Sequence, residues 1–69
     1  MNANRKDDHD RVIERIQAEF QEMPGLRLTT PQVRRLFALD EHRCEAVLQA
    51  LADARVLSRT SEGAFMLRS

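Results

Sequence analysis

Apolar residues recur at helical spacing early in the chain. Val12, Ile13, Ile16, Phe20 and Met23 fall on one stripe, with Glu14, Arg15, Gln17, Glu19 and Gln21 between them facing water. The pattern predicts a first helix from about Asp8 to Glu22, in which Arg15 can pair with Glu19 one turn on. Pro24 must end it, because proline disfavours the α conformation in the residue before it, and Gly25 completes the turn. The stripe packs against later helices or, in part, forms a dimer seam. Residues 1–7 are polar and lack apolar anchors, which predicts a disordered tail before a domain spanning 8–69. The run Asp7-Asp8-His9-Asp10 contains metal-ligand types, but acidic residues at a helix start are explained more simply by capping and the helix dipole.

The period then shortens. Leu26-Arg27-Leu28 alternates and reads as a short strand or extended arm with both leucines inward. A second helix starts at Thr29 or Thr30. With Thr29 as N-cap, Gln32 completes a capping box; with Thr30 as N-cap, Pro31 takes the first helical position. Val33, Leu36 and Phe37 form its inward face, Arg34 and Arg35 its flank, and it ends at Phe37 or Ala38. Leu39 plugs the gap between helices, and Asp40 caps a third helix running to about Ala54, with Glu41 in its first turn. Cys44, Val47, Leu48 and Leu51 share that helix's inner face. After Arg55 the pattern becomes a hairpin: strand Val56–Thr60, a turn at Ser61-Glu62-Gly63, and strand Ala64–Arg68 with Phe65 and Leu67 inward and Met66 outward.

Composition narrows the class. A chain of 69 residues is one domain and buries only ~60% of the surface its unfolded form exposes, so its stability margin is thin and a partner subunit would help. The single cysteine excludes an internal disulfide and suits a reducing compartment. No apolar run approaches a membrane span, and the polar N-terminus does not resemble a signal peptide, so a cytoplasmic protein without a membrane partner is expected. Basic and acidic residues balance at 11 each. Residues 1–25 hold four basic against six acidic side chains, a balance of −2; residues 26–69 hold seven arginines against five acidic side chains, a balance of +2. The mild basic surplus therefore lies with the helix pair, and it consists of arginine, the residue best suited to bidentate phosphate and guanine contacts.

The order helix, short strand, helix, turn, helix, hairpin resembles the winged helix-turn-helix family. The carrying residues are Leu28-Thr29 at the entry, Gln32-Val33 and Phe37-Ala38-Leu39-Asp40 through the turn, Cys44, Val47-Leu48 and Leu51 in the third helix, and Gly63-Ala64-Phe65-Met66-Leu67 in the wing. The resemblance covers roughly residues 8–68 and, more narrowly, is to small stand-alone bacterial proteins of this type. It implies a mainly α (α+β) fold: a three-helix winged helix-turn-helix with a C-terminal two-stranded β-hairpin wing. Two positions depart from the family pattern: Ala38 stands where glycine is common in the turn, and Arg34 where alanine is common in the second helix.

The resemblance implies binding to double-stranded DNA by a transcription regulator, with the third helix in the major groove and the wing on the backbone or minor groove. The matching outward positions of helix three are Glu41, His42, Arg43, Glu45, Ala46 and Gln49. Arg43 suits guanine O6 and N7, Gln49 suits adenine, and Glu45 suits the cytosine N4 amino group. Phosphate contacts fall to Thr29, Thr30, Arg34 or Arg35, and in the wing to Arg59, Thr60 and Ser61. A homodimer through helix one would read a two-fold site. Against this stand Glu41 and Glu45 on the face that meets a polyanion, and a neutral chain gains little of the electrostatic term that dominates non-specific binding. A winged-helix module that contacts a protein partner through the first helix or the wing is the alternative. An enzyme is not expected: His9 and His42 are far apart in sequence, His42 and Cys44 do not share a helix face, and no GxSxG, P-loop, CxxC or HExxH pattern occurs. Cys44 in the apolar stripe reads as a small hydrophobe rather than a redox or metal group, and no cofactor or metal is expected.

Overall fold

A computed structural model describes residues 4–68, with side chains from His9 onward. The elements are α1 (Asn4–Glu22), β1 (Arg27–Thr29), α2 (Thr30–Phe37), α3 (Glu41–Asp53), β2 (Leu57–Arg59) and β3 (Ala64–Leu67). Three helices thus accompany one antiparallel sheet in an α+β arrangement. Residues 4–7, expected in a disordered tail, belong to α1, so the Asp7-Asp8-His9-Asp10 run lies inside the helix rather than at its start. Residues 1–3 of that expected tail, and the side chains of Asp7 and Asp8, lie outside the described residues.

The stripe of α1 is buried at Ile16 and Phe20, with Val12 and Ile13 half-buried against the same core. Ile16 and Phe20 are therefore closed inside the protomer and cannot line a dimer seam. Met23, expected on the stripe, is 49% exposed. It lies past the end of α1, where the chain turns toward Pro24 and the 3.6-residue period no longer applies. Arg15 lies over the Phe37 ring at 6.0 Å, so its guanidinium faces an aromatic of α2.

The expected two-stranded hairpin is part of a larger sheet. β1 pairs with β3 through Arg27↔Met66, Leu28↔Phe65 and Thr29↔Ala64, giving the order β1-β3-β2. Backbone N–H and C=O groups near a core need partners, and β1 finds them on the free edge of β3. Three strands are also more stable than an isolated two-stranded ribbon. Leu28 is buried and Leu26 half-buried against the core.

Both interhelical boundaries are strongly determined. The Thr29 side chain accepts a hydrogen bond from the Gln32 backbone N–H at 3.4 Å, and Gln32 Oε1 accepts from the Thr29 N–H at 2.8 Å, a complete capping box. Asp40 Oδ1 accepts from the Arg43 N–H at 2.7 Å and caps α3. The α2 C-terminus closes with Ala38 in the left-handed region at φ 54° and ψ 48°, its N–H and that of Leu39 both donating to the Arg34 carbonyl. The α3 C-terminus closes the same way. Arg55 takes φ 64°, its N–H donates to the Ala52 carbonyl, and the Val56 N–H donates to the Leu51 carbonyl. Each is a Schellman-type stop with a non-glycine residue at the left-handed position, followed by an apolar residue (Leu39 or Val56) packed on the core. Leu36, expected inward, is 65% exposed. Residues on a helix step about 100° apart, so Thr30, Val33 and Phe37 share the face turned to α3 and β1, and Leu36 falls beside it.

An Ala or Arg at a left-handed position carries roughly 1–2 kcal/mol of strain that glycine lacks, partly offset by glycine's extra unfolded entropy of roughly 0.5–1 kcal/mol. Ala38→Gly and Arg55→Gly are each expected to raise unfolding stability by about 0.5–1 kcal/mol in urea titrations. Gly63→Ala, at φ 88°, is expected to lower it.

Candidate functional site

The outward side of α3 meets the β2–β3 hairpin along a groove of about 270 Å³. Thr30, Glu45, Leu48, Gln49, Arg59 and Phe65 line it. Leu48 and Phe65, both nearly fully buried, form its apolar side and belong to the core beneath. Glu45, Gln49 and Arg59 are exposed and supply its polar side.

Each polar group is held by local structure. Arg59 and Phe65 are direct cross-strand partners, and the guanidinium lies over the Phe65 ring at 4.9 Å. The cation–π contact and the strand register together fix where this charge stands. Gln49 Nε2 donates to Asp53 Oδ1 at 2.9 Å, one turn along α3, which orients its amide. Thr30 begins α2, and its carbonyl accepts from Cys44 Sγ at 3.6 Å, tying α2 to α3 under the groove.

The remaining expected contact residues take other places. Thr29 is engaged in the α2 capping box, and the Thr60 hydroxyl accepts from the Ala64 N–H at 3.0 Å and the Glu62 N–H at 3.3 Å, so both hydroxyls serve the backbone. Arg34 and Arg35 are exposed in the last turn of α2. His42 and Ala46 are exposed on α3, Arg43 is half-buried there, and Ser61 is exposed at the hairpin tip. Of the expected contact surface, the groove unites Thr30, Glu45, Gln49 and Arg59. The roles of Phe65 beneath Arg59 and of Asp53 beside Gln49 were not anticipated. The Gln49–Asp53 spacing was a usable signal, whereas Arg59–Phe65 needed the hairpin register.

Cys44 is fully buried, with its thiol on the Thr30 carbonyl. Burial pushes the thiol above its ordinary acidity value; Arg34 pulls it back, while Glu45 and Asp40 add to the rise. Among the described residues no group of three or more His, Cys, Asp or Glu is placed to hold a metal ion. Among those residues, too, no helix is long and apolar enough to cross a membrane. No protein-family model matches the chain, and neither a curated protein nor a solved structure does.

A thiol whose pKa is raised on folding keeps the folded state favoured while both states are protonated. That contribution is complete below the ordinary value of 9.0 and is lost as pH rises from there through the folded value. The chain has no tyrosine and no second cysteine, so no other thiol or phenol contributes to this slope. Unfolding free energies from urea titrations between about pH 8 and 10.5 are expected to fall with pH, by up to ~1.4 kcal/mol per unit once past the unfolded thiol's value. In Cys44→Ala the slope is expected to flatten.

Proposed function

We propose that the chain is a small cytoplasmic DNA-binding protein of the winged helix-turn-helix type, a regulator of transcription that sets α3 in the major groove and the β2–β3 hairpin, its wing, against the backbone. The observation that carries the reading is the groove itself. It brings the outward residues Glu45 and Gln49 of α3 together with a hairpin arginine, Arg59, so that one surface combines base-reading side chains with a phosphate-seeking charge. The order of elements and the placing of β1 beside the hairpin agree with this type of domain. Arg43 is the guanine-reading group, with its backbone locked into the Asp40 cap at the start of α3. Arg34 and Arg35, exposed at the end of α2, extend the phosphate-binding surface. A homodimer through α1, which a two-fold site asks for, has Val12, Ile13 and Met23 to build on.

A second reading is favoured by charge and by exposed apolar surface. Glu41, Glu45 and Asp53 are exposed on α3, and among the described residues Leu36 and Met23 are the large apolar side chains left to solvent. A protein-interaction module would use such features, and exposed apolar side chains such as Leu36 are typical of protein-binding patches.

Fluorescence anisotropy on a random duplex at about 50 mM salt is expected to show binding that weakens steeply as salt rises. Arg43→Ala is expected to relax base preference at one position by about 1–3 kcal/mol. Arg59→Ala is expected to weaken all sequences alike and to lower the salt slope by about one. A folded chain that shows no association at this salt excludes the DNA reading.

A further inference from the structure

The chain is neutral overall, yet one carboxylate stands in the same groove as the hairpin arginine. Arg59 is held over Phe65 at 4.9 Å and is exposed, so it attracts phosphate whatever the DNA sequence. Glu45 lines the groove opposite, from α3. A carboxylate brought against DNA without a donor is repelled by the polyanion and loses water it cannot replace. A carboxylate facing an exocyclic amino group gains a charge-assisted hydrogen bond instead. Glu41 offers a contrast on the same helix. It sits in the first turn of α3, where the helix dipole accounts for it, and it does not line the groove.

We propose that Glu45 is a specificity-determining residue that makes the phosphate attraction of Arg59 conditional on sequence, rejecting duplexes unless a cytosine presents its N4 amino group to the Glu45 carboxylate. The inference rests on the DNA-binding reading. Glu45 discriminates chiefly by exclusion: it subtracts affinity at every site that lacks the donor, and in a chain without a net positive field that subtraction decides which sites are occupied. Gln49, its amide oriented by Asp53, reads the neighbouring base from the same helix face.

The experiment uses the full chain, Glu45→Gln and Glu41→Gln. Each is measured on a random duplex at about 50 mM salt and by selection of bound sequences from a random duplex pool, with circular dichroism to verify the fold of both exposed-site variants. Glu45→Gln is expected to bind the random duplex roughly three- to ten-fold more tightly and to lose a cytosine preference of about ten-fold at one position. Glu41→Gln is expected to keep that preference. A cytosine preference that survives in Glu45→Gln, or that vanishes equally in Glu41→Gln, overturns the inference while leaving DNA binding intact. Failure of the unmodified chain to bind the random duplex overturns the DNA reading and this inference with it.

Discussion

The inner face of α3 is the surface on which the rest of the molecule is assembled. Cys44, Val47, Leu48 and Leu51 are almost wholly excluded from water, and α1, α2 and β2 all pack on the helix that carries them. At ~25 cal/mol per Å² of apolar area, burial of this kind is the main force available to so small a chain. The same helix presents Glu45 and Gln49 to solvent on its other side, so core packing and the candidate surface are two faces of one rigid element. Leu48 shows the coupling directly, being both a core residue and part of the groove. A side chain mounted on a packed helix is held more accurately than one on a loop, as the proposed reading of a base edge would require.

The ends of the helices carry the second constraint. α2 and α3 begin at side-chain caps, Thr29 with Gln32 and Asp40, and both end in left-handed residues that are not glycine. The strain at Ala38 and Arg55 is held by what surrounds it: an apolar residue follows each one and is packed into the core. These stops set the angle at which α3 leaves α2 and the point at which the chain turns into β2. The position of Arg59 relative to Glu45 and Gln49 follows from them.

Local physics was legible in the sequence, and non-local pairing was not. The Asp40 cap and the inner face of α3 could be read directly, and the capping box was one of two starts open to α2, because each depends on residues within a few positions of one another. The third strand could not, since whether Arg27–Thr29 pairs with Ala64–Leu67 is decided by a fold that brings distant segments together. Spacing alone puts Leu36 and Met23 inward, whereas both are exposed. A short helix covered on one side, and a residue just past a helix end, break the rule that spacing implies burial. In the groove, Thr30, Glu45, Gln49 and Arg59 were expected on one surface and do line one groove, but the Phe65 ring that fixes Arg59 depended on a register no local signal supplies.

The claim that α3 and the hairpin together form a DNA-binding surface is tested most directly by mapping backbone amide NMR shifts as a random duplex is added at low salt. The expected result is a contiguous set of perturbed amides at Thr30, along the outward positions of α3 from His42 to Gln49, and at Arg59 and Ser61 in the hairpin, with the α1 amides little changed and the set fading as salt is raised. Absence of any salt-sensitive perturbation, or perturbation confined to α1 and the surroundings of Leu36, would contradict it and point to a surface made for protein.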